Sequence, residues 1–253
     1  LVLGPILSHS YGQYAPMMML FLCLAAYAFG AAIRFNIANI AVRPNRSAPE
    51  RRTEYFASWA LSLAYCISVA YYLNLFGAFA VKMTPLNSPA MAKAVTSAVL
   101  LLILSVGWLR GFSAMEKMEQ AAVSLKLAII GGLLAGLSVY FFHQADQGQL
   151  TFSAPSQTGW TGMALAFGLI ITVQGFETSR YLGDEYKPEM RIRSMRYAQW
   201  LATAIYMAYV ILLTYAFDAK TVPLTETAIV DMMKIVSILL PALLIVAALS
   251  AQF

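Results

Sequence analysis

The chain has 253 residues, 60% of them hydrophobic and 11% charged, with a formal charge of +5 and a mean hydropathy of +0.68. Such a composition belongs to polytopic helical membrane proteins rather than to water-soluble domains. Its apolar runs are continuous and rich in Leu, Ala, Met and Gly, which excludes an outer-membrane barrel built from strands of about 10 residues with period-two alternation.

Apolar spans run from Ala15 to Ile33, Tyr55 to Val81, Ala94 to Leu109, Ala121 to Phe142, Trp160 to Leu182, Tyr197 to Phe217 and Ile235 to Phe253. Each is close to the roughly 20 residues that cross a hydrocarbon core. Seven membrane helices in one transmembrane domain covering residues 1–253 are therefore predicted. Leu1 to Leu7 reads as the tail of a preceding helix, and the last span stops at Phe253 without flanking charge, the pattern of a fragment of a larger membrane protein. Cys23 and Cys66 lie within apolar spans and read as small packing residues, not as a disulfide.

Basic residues orient the spans. The loop after the first holds Arg43, Arg46, Arg51 and Arg52; the loop after the third holds Arg110 and Lys117, with Lys126 just inside the next span. The loop after the fifth holds Arg180, Lys187, Arg191, Arg193 and Arg196, whereas the opposite side has only Lys82, Lys93, Lys220 and Lys234. Twelve against four, with Arg34 set aside at the inner end of the first span, places the Arg-rich loops in the cytoplasm and the protein in a bacterial inner membrane. Topology and contact with the lipid bilayer account for the pI near 9.2, so no nucleic-acid partner is expected.

The second span carries Ser62, Tyr65 and Cys66 on one helical face, where they either line a solute pathway or make ordinary interhelical hydrogen bonds. Lys126 lies one to two turns inside the fourth span and is either a snorkelling lysine or a functional charge. Gly132 and Gly136 in the same span form a G-x-x-x-G spacing that reads as helix packing. The fifth span is the most informative. Thr172, Gln174 and Gly175 interrupt an apolar run, and Glu177 places a carboxylate inside it, at a cost of about 2.5–3.5 kcal/mol near a bilayer centre. A glycine that tolerates non-helical dihedrals beside such a group predicts a helix opened over Ile171, Thr172, Val173, Gln174 and Gly175, whose free backbone groups face a solute. The bland alternative is close packing at Gly168 and Gly175, with Glu177 paired to Arg180.

Gln174-Gly175-Phe176-Glu177, followed by Asp184-Glu185-Tyr186-Lys187-Pro188-Glu189-Met190-Arg191-Ile192, resembles the sixth helix and following loop of the amino acid-polyamine-organocation (APC) transporters. There a Gly-Phe-Glu-like break leads to Glu-Glu-x-Lys-Asn-Pro-x-Arg-x-Ile-Pro. Two positions depart from that pattern: Lys187 stands where the family has the Asn before Pro, and Arg193 follows Ile192 in place of Pro. The resemblance implies a leucine-transporter-like inverted-repeat fold, all α, of which this chain covers about helices two to eight. It also implies that a lysine matching Lys126 occupies the place where sodium-coupled relatives bind an ion, with Ser250 as the small hydroxyl residue contributed to that site. Glu177, Lys126 and Ser250 are then candidates for gating and proton coupling.

No enzyme is expected. His9 and His143 form no metal-binding pair, no G-x-S-x-G turn occurs, and no cofactor or metal is called for. The function these residues imply is secondary active transport of amino acids or related small organic solutes and amines by proton-coupled alternating access. The alternative is a transporter-like membrane sensor or a non-transporting subunit. Nothing in the sequence fixes the oligomeric state.

Overall fold

The computed structural model describes residues 3–40, 47–110, 112–173, 175–183, 186–218 and 228–250. Among these the chain is helical, without strands: α1 Leu3–Tyr11, α2 Ala15–Ile40, α3 Ala48–Val81, α4 Pro89–Arg110, α5 Phe112–Asp146, α6 Gly159–Leu169, α7 Pro188–Ala216, α8 Ala228–Val236 and α9 Leu240–Ser250. Short 3-10 segments lie at Gly12–Tyr14, Ile170–Val173 and Phe176–Arg180. Prolines punctuate the chain: Pro16, Pro49, Pro89, Pro188 and Pro241 all fall in the first turn of a helix, where a missing N–H costs nothing. At α4 the Ser88 hydroxyl also accepts a hydrogen bond from the Met91 N–H at 3.3 Å, a conventional N-cap.

Among the described residues, five segments are long and apolar enough to cross a membrane: Leu3–Asn39, Ala48–Val81, Pro89–Leu109, Glu119–Asp146 and Pro188–Ala216. They correspond to the first four and the sixth of the seven expected spans. The fifth is not one helix, because α6 stops at Leu169. The seventh begins later than expected, since the chain bends at Ile238 and Leu239 and α9 starts only at Leu240. α3, at 34 residues, exceeds the roughly 20 that span hydrocarbon, and its surplus is the polar start holding Glu50, Arg51, Arg52 and Glu54.

The chain divides into two compact units, Leu1–Ser47 with Leu137–Leu224 and Ala48–Gly136 with Thr225–Phe253. In the first, α2 packs along α7, and α1 packs on α7 as well. Gly4 admits the Tyr209 ring, and the Ser8 and Thr214 hydroxyls share a buried hydrogen bond of 2.9 Å. Tyr11 donates to the Gly162 carbonyl of α6 at 2.7 Å. The connector between α5 and α6 is fastened at both edges. Gln13 N–H donates to Ser153 at 2.9 Å, Gln157 N–H donates to Ser10 at 2.9 Å, and Thr151 N–H donates to Tyr215 at 3.0 Å. Gly12, at φ +53°, is needed here: a Cβ would lie 2.2 Å from the Ser153 carbonyl oxygen.

In the second unit α3 and α4 cross closely at Gly77, where a Cβ would lie 2.2 Å from the Ala92 carbonyl oxygen. Thr96 of α4 donates to the Leu73 carbonyl at 2.9 Å beside that crossing. Of the G-x-x-x-G pair, Gly136 faces Leu240 of α9 at 3.1 Å, whereas Gly132 has no neighbour within 4 Å. α8 buries Ile229, Val230, Met232 and Met233 and turns Asp231 outward, where its carboxylate meets Lys82 at 3.1 Å and Lys234 at 3.0 Å. Desolvation alone raises the Asp231 pKa, but the hydrogen bonds from Lys234 and Lys82 outweigh it and hold the group below its ordinary 3.8.

Because the folded carboxyl titrates below the unfolded one, its contribution is complete above about pH 3.9 and disappears as pH falls through the lower folded value. Asp231→Asn is therefore expected to melt slightly below the parent at neutral pH, by less than about 1 kcal/mol for so exposed a pair. Thermal unfolding in detergent at pH 7 and near pH 3 checks this: the difference between the two proteins should shrink at the lower pH.

Candidate functional site

Four consecutive β-branched residues, Ile170, Ile171, Thr172 and Val173, follow α6, and each loses side-chain freedom in an α-helix. The chain tightens there into a 3-10 turn, then reaches Gly175 at φ 114°, ψ −15°. A second 3-10 turn, Phe176–Arg180, completes the passage to α7. Apart from its chain neighbours, no atom of the described residues lies within 4 Å of where a Gly175 Cβ would sit, so backbone conformation, not crowding, favours glycine. Where an unwound stretch was expected, Ile171, Thr172 and Val173 lie in a 3-10 turn, Gly175 is left-handed, and Gln174 lies outside the described residues.

Side chains satisfy the backbone groups that the break frees. The Gly175 N–H donates to the Glu177 carboxylate at 2.8 Å, Thr178 donates to the Gly175 carbonyl at 3.1 Å, and Thr172 donates to the Leu169 carbonyl at 2.6 Å. These are local side-chain-to-backbone bonds of the kind that compete with helix. At the far end, buried Arg191 of α7 donates from Nη1 to the carbonyls of Ser179 at 3.2 Å and Arg180 at 2.9 Å. The Arg180 guanidinium lies 5.8 Å from the Tyr181 ring.

A cavity of about 190 Å³ opens beside the break, within the first unit. Val173, Gly175 and Phe176 form one wall; Cys23 and Ala26 of α2 and Gln199 and Thr203 of α7 form the others. Gln199 is buried and hydrogen-bonded at both ends of its amide. Its Nε2 donates to the Ala26 carbonyl at 3.0 Å and its Oε1 accepts from Arg34 Nη1. Arg34, also buried, stacks over the Tyr27 ring at 4.6 Å. Gly30 makes room for that amide, since a Cβ would lie 2.4 Å from Gln199 Nε2.

The α2 and α7 walls are what sequence reasoning missed. Their signal was available: Gln199 and Arg34 are isolated strong hydrogen-bonding groups within segments that cross the membrane, and such groups need one another. Cys23 is a buried packing residue that also lines the cavity, whereas Cys66 is exposed and does not fill a packing role. Both are free cysteines.

The remaining candidates belong to the second unit. Ser62, Tyr65 and Cys66 sit on α3, Lys126 on α5 and Ser250 on α9. The Ser62 hydroxyl donates to the Ser58 carbonyl at 2.9 Å and the Ser250 hydroxyl to the Ala247 carbonyl at 2.9 Å, each within its own helix. Lys126 is half-buried, and Tyr65 is half-buried as well. Among the described residues no group of three or more His, Cys, Asp or Glu side chains is placed to hold a metal ion.

A broken helix lined by a small cavity, in a chain of apolar spans, is the arrangement of a membrane transporter. A family profile described as APC superfamily transporter matches residues 1–253. The chain belongs to the APC superfamily. An "Uncharacterized protein" of Aquifex aeolicus (strain VF5) is similar to it, 34% identical over 263 aligned positions that take in 100% of this chain and 63% of the relative. The chain thus spans about 63% of the length of that relative. No solved structure matches. As a member of this superfamily with five apolar spanning segments, the chain is an integral multi-pass membrane protein.

In this APC chain Glu177 acts on the backbone as well as carrying charge. Glu177→Gln retains an oxygen for the Gly175 N–H and should keep most of the stability. Glu177→Ala leaves that donor without its acceptor and should cost about 1 kcal/mol. Thermal melts of the two variants in detergent measure the difference; equal melting would remove the carboxylate from the support of the break.

Proposed function

We propose that this protein is a secondary active transporter of amino acids or related small organic solutes and amines, working by alternating access with proton coupling. The observation that carries the reading is the break at Gly175, a left-handed glycine between two 3-10 turns beside a cavity. Opening a helix inside a membrane forfeits backbone hydrogen bonds that lipid cannot replace, so such breaks occur where a cavity uses the freed groups. The cavity walls are mainly apolar with a few polar groups, which suits a small solute with an aliphatic or aromatic part. Membership of a transporter family supports the same reading and favours it over catalysis. The Arg-rich loops face the cytoplasm in this proposal, and the protein resides in a bacterial inner membrane.

Gly175→Leu tests the break. A leucine at φ 114° is strained by about 1–3 kcal/mol and forces the segment to rearrange. Uptake by the full-length protein in proteoliposomes should be lost while membrane insertion is retained, because insertion depends on the apolar spans. Parental uptake by this variant would overturn the assignment.

Lys126 and Ser250 carry the coupling half of the proposal. If the Lys126 ammonium supplies the charge that a bound sodium ion supplies elsewhere, uptake is independent of sodium and responds to a pH gradient. Lys126→Arg should then fail nearly as badly as Lys126→Ala, since a planar guanidinium is larger and does not release its proton. A lysine that only snorkels to the headgroups would be replaced by arginine with little loss. Uptake with and without sodium and a pH gradient separates the two.

A further inference from the structure

The start of α7 carries a second depression that the transport reading does not use. It is an open depression of about 390 Å³, lined by Lys187, Glu189, Met190, Arg193, Ser194 and Tyr197. Met190, Arg193, Ser194 and Tyr197 follow one another at helical spacings of three, four and seven residues, so they share one face of α7. That face continues as exposed Trp200 and Leu201, which are 65% and 51% accessible. Lys187, Arg193 and Arg196 are exposed, and among the described residues their side chains make no hydrogen bond or ion pair. Arg191, by contrast, is buried and already committed to the Ser179 and Arg180 carbonyls.

The order along this face is cations, then an amphipathic tyrosine, then a tryptophan and a leucine. It reproduces the depth profile of a single phospholipid: phosphate, glycerol level, acyl chain. α7 is long and apolar enough to cross the membrane, so this end of it lies at headgroup depth in either orientation of the protein. Among the described residues that line the depression, Lys187 and Arg193 stand against the one carboxylate of Glu189, a balance that favours an anionic headgroup. Glu189 accepts hydrogen bonds but donates none, and it lies on the rim of the same depression, so the headgroup should also offer hydroxyls.

We propose that this depression is a binding site for an anionic, hydroxyl-bearing phospholipid of the phosphatidylglycerol type. Lys187 and Arg193 hold the phosphodiester, Glu189 accepts from the headgroup hydroxyls, and an acyl chain runs along Tyr197, Trp200 and Leu201. Because α7 also supplies Gln199 and Thr203 to the cavity and Arg191 to the broken segment, an occupied site is covalently continuous with the solute cavity.

The test is native mass spectrometry of the full-length protein released from nanodiscs of phosphatidylcholine doped with phosphatidylglycerol or phosphatidylethanolamine. The parent should retain phosphatidylglycerol well above its bulk fraction. Lys187→Gln with Arg193→Gln should lower that enrichment about fivefold per cation removed. Lys187→Arg with Arg193→Lys preserves charge and should retain it, as should the remote Lys93→Gln. Raised ionic strength should weaken the parent's enrichment without any substitution, which gives a readout free of folding effects. In nanodiscs doped instead with phosphatidic acid, which lacks the glycerol hydroxyls, Glu189→Gln should leave phosphate binding intact but narrow the preference for phosphatidylglycerol over that lipid. No enrichment in the parent, a preference for phosphatidylethanolamine, or equal losses in Lys93→Gln and the double glutamine variant would overturn the proposal.

Discussion

Every backbone N–H and C=O in a bilayer must find its partner within the protein, and this requirement governs the arrangement around the broken segment. Interrupting a helix at Gly175 frees donors and acceptors that lipid would leave unpaired, each at a cost of several kcal/mol. The neighbouring side chains answer that cost one group at a time. Glu177 takes the Gly175 N–H, Thr178 and Thr172 cover carbonyls on either side, and Arg191 reaches from α7 to cover the last two. The charged groups of this region, which would be costly as isolated ions in hydrocarbon, are intelligible as the support of an opened backbone.

The packing of α2 on α7 rests on a similar exchange. Arg34 brings a guanidinium into a buried position, and what meets it is the neutral amide of Gln199, a backbone carbonyl at Tyr27 and the face of the Tyr27 ring. A hydrogen bond to a charged group contributes about 1.5–3 kcal/mol and is strongly directional, so it fixes the rotation of the two helices as well as their separation. Gly30 is the steric condition for this, and Gln199 carries the effect to the cavity wall. The geometry of the cavity therefore depends on a polar contact made by one of its own wall residues.

Much of this was legible in the residues. The break was readable because Gly175 and Glu177 violate the apolar pattern around them, and the spanning helices were readable from run length alone. Two things were not. The shortening of the last apolar run at Leu240 depends on Pro241, which marks a helix start only once the chain's direction on either side is known. The cavity walls supplied by Cys23, Ala26 and Thr203 carry no local signal, since small residues in an apolar helix read the same whether they face lipid, a neighbour or a void. Only Gln199 and Arg34 announced themselves, and pairing them requires knowing that residues 165 positions apart are neighbours.

The connector between α5 and α6 has a mechanical corollary. It is stitched by backbone hydrogen bonds to the turn after α1 on one edge and to the end of α7 on the other, and Tyr11 clamps the start of α6 itself. The half of the broken helix before Gly175 is thus braced through the connector and Tyr11, whereas Phe176–Arg180 after it is held to α7 by the Arg191 guanidinium on its Ser179 and Arg180 carbonyls. A rod gripped at one end passes strain to what lies beyond the grip, so a load on this segment would be felt first at that single-side-chain tether.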